Sequence, residues 1–183
     1  MHRRVPFVIL LAWLAAAAGT TPTPVRLYVL DCGTTEHLDP ARFGLEHVAV
    51  PRLADPCFLV VHPKGTLLWD AGVVADSAWK PNGEPQLLHI QLPGGAPREI
   101  TVRQRLADQL AAIGVAPERV TFLALSHAHW DHTGNVYQFT HATWLARRAE
   151  RDAMFAQPPL ALSRPADFAG LEGAKTVLLT DDE

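Results

Sequence analysis

The sequence has only two cysteines and no excess of positive charge, and each shortage narrows the possible functions. Cys32 and Cys57 are too few for a zinc ribbon, so any metal site would have to use histidine and carboxylate ligands. The formal net charge is −3, from 16 Lys and Arg against 19 Asp and Glu. The chain therefore lacks the positive electrostatic field that nucleic-acid binding requires. We therefore expect neither a nucleic-acid partner nor a polyanionic substrate.

An apolar run long enough to span a membrane is also missing. The segment VPFVILLAWLAAAA follows the positive MHRR and is shorter than the roughly 20 residues that a spanning helix needs. Ala16 and Ala18 fit a small-residue cleavage site. We therefore predict that residues 1–18 are a cleaved signal peptide rather than a retained anchor. We expect an exported bacterial protein, periplasmic or secreted, with no stable membrane span and a charge changed from −3 to −5 by the loss of two arginines.

The remaining chain has the composition of one globular domain, with 48% hydrophobic residues and 15 prolines spread along it. VRLYVLDCG (25–33) predicts a strand, and CFLVVHPKGTLLWDAG (57–72) predicts a hairpin that turns at HPKG. The stretches 34–56 and 76–99 are rich in proline or glycine and are interpreted as loops.

The second half alternates helices and strands. ITVRQRLADQLAAIG predicts an amphipathic helix that begins after an N-cap at Thr101 and ends at Gly114. RVTFLALSH (119–127) predicts a buried strand, ATWLARRAERDAMFA a strand and then a helix from about Arg148, and AKTVLLTDD a last strand. This order indicates a layered α/β architecture.

The state of the two cysteines stays open at this level. Cys32 ends one predicted strand and Cys57 begins the next, so antiparallel pairing would bring them together for a disulfide. Export would permit such a bridge. Two buried unpaired thiols are an equally good interpretation.

The segment ALSHAHWDHTGN carries the clearest chemistry. It places His127, His129, Asp131 and His132 within six positions, directly after a predicted buried strand. Residues two apart on an extended chain point to the same side, so His127 and His129 can hold one ion, and the following turn brings Asp131 and His132 toward a second. A chance group of surface histidines would account for one such residue but not for four. The spacing therefore predicts a metal site.

SHAHWDHTGN resembles the metal motif of the metallo-β-lactamase superfamily. LYVLDCG, PCFLVVHPKGTLLWDAGV, QLAAIGVAPERV and ATWLARRAERDAM follow the order of its N-acyl homoserine lactonase branch, so the resemblance covers about residues 25–183. It implies an α/β fold, the N-terminal portion of an αββα sandwich that binds one or two metal ions, usually zinc, and two in the complete enzyme. It also implies hydrolysis of a small-molecule lactone or ester by a hydroxide made available at the metal.

The resemblance also assigns roles to residues. His127 and His129 would bind the first metal, and Asp131 and His132 the second, with Asp131 also given a catalytic part. Asp70, in LLWDAG, would support the ligands from behind by orienting their loop. Without the resemblance, Asp70 alone would be interpreted as a turn residue before Ala-Gly.

The family pattern contains further ligands that this sequence lacks. A third histidine for the first metal, a bridging aspartate and a final histidine would follow downstream, and the chain ends at TVLLTDDE before them. We therefore expect a domain truncated at its C-terminus, with one sheet face left uncovered and prone to aggregation. The alternatives are another hydrolase of the same fold, such as a β-lactamase or thioesterase, an inactive fragment with a partial metal site, or a secreted domain that sequesters metal.

Overall fold

The computed structural model describes residues 24–37, 39–47, 49, 52–80, 84–91 and 97–180. The predicted signal peptide, residues 1–18, lies outside these described residues. In the part of the chain that the structure describes, no helix is both long and apolar enough to cross a membrane.

The described residues form one mixed sheet with helices packed against it. The strands are β1 (Arg26–Thr35), β2 (Leu53–His62), β3 (Gly65–Trp69), β4 (Gln86–Ile90), β5 (Arg98–Val102), β6 (Phe122–Ala124), β7 (Thr143–Arg147) and β8 (Thr176–Leu179). The helices are α1 (Leu106–Ile113), α2 (Trp130–Thr133), α3 (Arg148–Met154) and α4 (Pro165–Phe168).

The sheet order is β4-β5-β1-β2-β3-β6-β7-β8. Strands β4, β5, β1, β2 and β3 pair antiparallel with their neighbours, whereas β3, β6, β7 and β8 pair in parallel. Parallel neighbours need a crossover connection, which the helical segments between these strands provide. This confirms the predicted α/β class.

One face of the sheet carries the main core. Leu59, Leu68, Leu123 and Trp144 lie in register across four neighbouring strands and are fully or almost fully buried. Helices and helical turns supply the other side of this layer with apolar residues that include Leu106, Leu110, Phe139, Met154 and Phe168.

The opposite face carries apolar side chains that none of the described residues covers fully. Leu27, Val29, Trp69 and Val177 are large and exposed, and Val29 keeps 68% of its surface accessible. The register places Val29, Trp69 and Val177 in one row across the sheet, through Phe58 and Leu145. We call these four exposed residues the uncovered face. Their exposure agrees with the expectation drawn from the sequence.

A disulfide joins β1 to β2. Cys32 and Cys57 are bonded, with their Cα atoms 5.7 Å apart and both side chains buried. The pairing of Leu30 with Cys57 in the antiparallel ladder brings the two strands into this position. The alternative of two free thiols is therefore wrong.

Most strands lie where the sequence predicts them, but two predicted loops and one predicted helix differ from the structure. The predicted loop 34–56 contains the end of β1 and the start of β2, and the predicted loop 76–99 contains β4 and the first residues of β5. The predicted helix starts too early: Thr101 is not an N-cap but a strand residue that pairs with Leu87. Gly114 does end α1, in a left-handed conformation with φ of 84°.

Candidate metal centre

Two neighbouring parallel strands bring the site to one edge of the sheet. Trp69, the last residue of β3, lies opposite Ala124, the last residue of β6. Asp70 follows β3 directly and donates its backbone N–H to the Ala124 carbonyl at 2.9 Å. Ser126 and His127 follow β6, so they reach the same edge, where ligands usually bind in sheets of this kind.

Helix α2 carries Asp131 and His132, and backbone contacts fix its position. The His132 carbonyl accepts a hydrogen bond from the Ala71 N–H at 2.8 Å. Just past α2, Gly134 lies against the segment 72–74. A Cβ atom on Gly134 would meet three backbone atoms of that segment at 2.8–2.9 Å. A glycine is therefore required for α2 to approach the sheet this closely.

Asn135 ties the same loop to the rest of the domain. Its amide NH2 donates to the carbonyls of Ala71 and Val74 at 3.0 and 2.8 Å, and its Oδ1 accepts the Asp76 N–H at 2.6 Å. The Asp76 carboxylate in turn accepts the first free N–H of α1, from Leu106, at 2.9 Å. The metal loop and α1 are therefore held by one hydrogen-bond network.

Three predicted ligands converge. His127, Asp131 and His132 each offer a ligand atom, and these atoms lie within 4.8 Å of one another. The rings of His127 and His132 are 4.3 Å apart, and His132 Nε2 lies 3.6 Å from Asp131 Oδ2. All three side chains are half-buried, so the group opens to solvent on one side.

His129 lies beside this group rather than within it. Its ring is 4.3 Å from that of His127, and its backbone forms an isolated antiparallel bridge with Ser163. The sequence pairs His129 with His127 for one ion and Asp131 with His132 for another. That division between two ions stays a prediction.

Asp70 orients the site from below. One carboxylate oxygen accepts the Ser126 backbone N–H at 2.7 Å, and the other lies 2.9 Å from His132 Nδ1. A neutral His132 that donates its Nδ1–H to Asp70 has its Nε2 lone pair free for a metal. Asp70 is buried and has a positive φ of 63°, a conformation that Asp tolerates better than most residues. These contacts are compatible with the supporting role that the resemblance implies, and that role stays a prediction.

Ser126 is a site residue that sequence reasoning missed. Its hydroxyl oxygen lies 3.0 Å from His127 Nδ1 and 3.2 Å from His132 Nδ1. The hydroxyl can therefore accept the Nδ1–H of His127 and direct the Nε2 of that ring toward the group. Its place directly before the first histidine was the available signal.

The donor set fits a metal ion, and Asp131 supplies the strongest indication. Its Oδ1 is buried and has no hydrogen-bond partner among the described residues. A buried carboxylate oxygen without a partner is costly, and a cation bound by it removes that cost. Imidazole nitrogens and carboxylate oxygens are also the ligands that zinc takes in sites without cysteine.

The pKa values of His127 and His132 are shifted in opposite directions by their surroundings. Burial, followed by the charges of His132 and His129, lowers the pKa of His127. Burial also lowers the pKa of His132, but its hydrogen bond to Asp70 and the nearby acidic charges outweigh burial, so the net direction is upward. His127 therefore stays in the neutral, ligating form to lower pH than an ordinary histidine, and protons compete with a metal for His132 up to higher pH.

Asp55, on β2, is a second residue that the sequence did not reveal. It is 4% exposed and accepts a hydrogen bond from the Thr35 hydroxyl at 3.1 Å. Burial, followed by the charge of Asp131, raises the pKa of Asp55 to about 7. A single acid in an apolar strand gives no pattern that would single it out.

The other histidines of the described residues lie outside the group. They are exposed and show no place in the three-residue cluster; they are His37, His47, His62, His89 and His141. This agrees with the sequence analysis, which gave none of them a ligand role.

A family model and several known proteins match the chain. The family model is described as the metallo-beta-lactamase superfamily and matches residues 51–182. N-acyl homoserine lactonase AttM of Agrobacterium fabrum is 30% identical over 135 residues, which cover 73% of this chain and 49% of that protein. N-acyl homoserine lactonase AiiA of Bacillus thuringiensis is 26% identical over 140 residues, which cover 72% and 52%. The chain thus spans about half the length of these curated relatives.

Solved structures show the same fold. A B. thuringiensis AiiA mutant with N-decanoyl-L-homoserine bound at the active site matches with a TM-score of 0.60 and 21% identity, over 84% of this chain and 58% of that one. AidC, a dizinc quorum-quenching lactonase in complex with a product, matches with a TM-score of 0.52 and 18% identity, over 89% and 60%.

Proposed function

The chain belongs to the metallo-β-lactamase superfamily, and from that premise we propose that it forms the N-terminal part of a metal-dependent hydrolase that opens a lactone or ester. The convergence of His127, Asp131 and His132, with an unpartnered buried oxygen on Asp131, is the observation that carries this proposal. A cation bound by this group would remove the cost of the unpartnered oxygen.

The lactone is the favoured substrate class. The curated relatives of Agrobacterium and Bacillus are named as N-acyl homoserine lactonases, and two solved neighbours hold an N-acyl-L-homoserine at the active site or metal centre. A neutral acyl lactone also suits a protein without a basic field. A β-lactamase or thioesterase activity has no comparable support.

The proposed cofactor is zinc, with two ions in the complete protein. When bound, zinc supplies Lewis-acid activation of water and of the substrate carbonyl. His127 and His129 would hold the first ion and Asp131 and His132 the second. Asp70 keeps the His132 proton on Nδ1, and Ser126 does the same for His127, so that both rings present Nε2. Asp131 would serve catalysis by placing its negative charge at the metal.

We also propose that the protein is exported. The Cys32–Cys57 disulfide supports this, because such bridges form and persist in oxidising compartments. Fractionation of cells that express the chain from Met1 is the test: the periplasmic or secreted form should begin near residue 19. A cytoplasmic protein that retains residues 1–18 would contradict the proposal.

The activity is tested on protein expressed from about residue 19 to the end of its reading frame. Elemental analysis should find about two zinc ions per chain, and chromatography should detect opening of an N-acyl homoserine lactone. His127→Ala and His132→Ala should each lower the rate by more than about 100-fold, because even partners of metal ligands contribute 10–100-fold. His62→Ala, an exposed histidine of β2, is the matched control.

The outcomes separate the parts of the proposal. A wild-type protein without metal would refute the metal centre. Bound metal with opening of a β-lactam in place of the lactone would keep the hydrolase and change its substrate. Bound metal with neither reaction would leave a metal-binding protein and refute the hydrolase.

A further inference from the structure

We propose that Asp55 is a third carboxylate of the metal centre, a positioning residue that acts through Asp131 and strengthens the binding of a divalent cation. This inference rests on the proposed function, since it assumes that a cation binds at His127, Asp131 and His132. It concerns a residue of β2 that lies outside the histidine motif.

The placement of Asp55 follows from the strand on which it lies. The Asp55 side chain lies on the same face of β2 as those of Cys57 and Leu59, because side chains two residues apart share a face. That face of the sheet is the covered one. Helix α2 packs against β2 on that face. The carboxyl group is close enough to Asp131 and His132 for the charges of both to act on it.

Two neighbours keep Asp55 in this position. The Thr35 hydroxyl, itself buried, donates to Asp55 Oδ2 at 3.1 Å. Two residues further along β2, the disulfide of Cys57 with Cys32 joins the same pair of strands. The hydrogen bond and the cross-linked strands together keep the buried carboxyl group of Asp55 in place.

The charges around Asp55 are incomplete without a cation. The charge of Asp131 repels that of Asp55. His132 attracts it, but His132 already shares its proton with Asp70. Arg103 lines the same cavity as Asp55, but it forms an ion pair with Asp31 at 3.2 Å. Buried carboxylates are stable when they are paired or hold a metal. A divalent ion at the three-residue group would stabilise Asp55 and Asp131 together.

With this arrangement, one substitution at Asp55 should weaken metal binding without lowering the stability of the metal-free protein. Asp55→Asn keeps the size of the side chain and can still accept the Thr35 hydrogen bond, but it removes the charge. The cation then loses a stabilising neighbour, while the metal-free fold loses a repulsion. A residue that served packing alone would lower the stability of both forms.

The experiment uses protein that extends to the end of the reading frame, titrated with Zn²⁺ against a chromophoric chelator and melted with and without Zn²⁺. Asp55→Asn should weaken Zn²⁺ binding by about 10–100-fold, as other outer partners of metal ligands do. Its metal-free melting temperature should equal or exceed that of the wild type. The matched control is Asp108→Asn, which removes an exposed acid from α1, where Asp108 pairs with Arg105. The control should change the Zn²⁺ affinity little.

Each other outcome overturns the inference. Equal Zn²⁺ affinities of Asp55→Asn and wild type, with binding lost in His132→Ala, would refute the role of Asp55 and leave the proposed function intact. A variant that fails to fold, or whose metal-free melting temperature falls, would make Asp55 a structural residue. A wild-type protein that binds no Zn²⁺ would refute the metal centre itself.

Discussion

Asp70 shows how much one residue contributes, because its carboxylate holds both the start of the ligand loop and the ring of His132. Asp70→Asn replaces one acceptor oxygen by an NH2 group, which cannot accept the Nδ1–H of His132. We expect Zn²⁺ affinity to fall by about 10–100-fold in a chelator competition titration. Asn also tolerates the positive φ at this position, so the backbone should keep its path. Asp108→Asn, at an exposed site on α1, should leave the affinity unchanged; equal losses in both variants would contradict the prediction.

Asp55 makes the stability of the metal-free chain depend on pH. Its folded pKa of about 7 lies above its ordinary value, so the native state holds a proton that the unfolded state has already lost. The stability associated with Asp55 is therefore complete below about pH 4 and is lost as the pH rises to about 7. The loss is at most on the order of 4 kcal/mol.

Urea unfolding of metal-free wild type and Asp55→Asn tests this dependence at about pH 5 and about pH 8. The variant should gain stability relative to wild type at the higher pH. His127 and His132 titrate in both proteins, so the difference between the two reports Asp55 together with its charge interaction with His132. Parallel pH profiles would contradict the prediction.

At the scale of elements, the position of α2 depends on Gly134. In Gly134→Ala the new Cβ meets backbone atoms of residues 72–74, which have no side-chain freedom to yield. We expect a loss of about 1–3 kcal/mol of stability, together with weaker Zn²⁺ binding, because α2 carries two ligands. Gly173→Ala is the control, since nothing lies within 4 Å of a Cβ there. Equal effects of the two substitutions in thermal melting would disprove the close approach.

The pairing of β1 with β2 depends in part on the disulfide. It closes a loop with a sequence separation of 25 residues, and a loop of that length contributes about 3 kcal/mol by restricting the unfolded chain. The double variant Cys32→Ser, Cys57→Ser should lower the urea midpoint accordingly. The addition of reductant should destabilise wild type during unfolding and leave the double variant unchanged. Identical midpoints of wild type and double variant without reductant would contradict the prediction.

The elements also show where sequence reasoning succeeds. β7 and α3 follow from a change in apolar spacing at Arg148, which is a local signal. The early start given to α1 is an error because Ile100 and Val102 fit a helical spacing as well as a strand. Pairing with β4, a tertiary contact, decides for the strand. β4 itself lies in a stretch whose prolines and glycines suggest only loop.

The residues of the candidate site also differ in how far the sequence alone predicts them. His127, Asp131 and His132 are adjacent in sequence, so their type and spacing suffice to predict that they converge. Asp70 required the resemblance, because its distance from His132 is set by the parallel pairing of β3 with β6. Asp55 required the structure, since a single polar residue in a strand carries no periodic signal.

At the scale of the molecule, the uncovered face predicts association. Leu27, Val29, Trp69 and Val177 are large apolar side chains that stay exposed on one face of the sheet, and exposed apolar patches favour association. Residues 19–183 alone should scatter light increasingly with concentration, and the double variant Val29→Lys, Val177→Lys should scatter less. Ala111→Lys adds a charge on the exposed side of α1 and should not help. Equal scattering by all three proteins would show that this face takes no part.

The mixed pairing of the sheet also sets the order in which the chain can assemble. β2 with β3 and β4 with β5 are near neighbours along the chain, whereas Asp70 and Ser126 are separated by 56 positions. Contacts of such high sequence separation form late, after the entropy of a long loop has been lost. We therefore expect the ligand loop to dock on Asp70 after the transition state for folding. A bound ion would lengthen the lifetime of the folded chain by slowing its unfolding, and it would leave the folding rate unchanged.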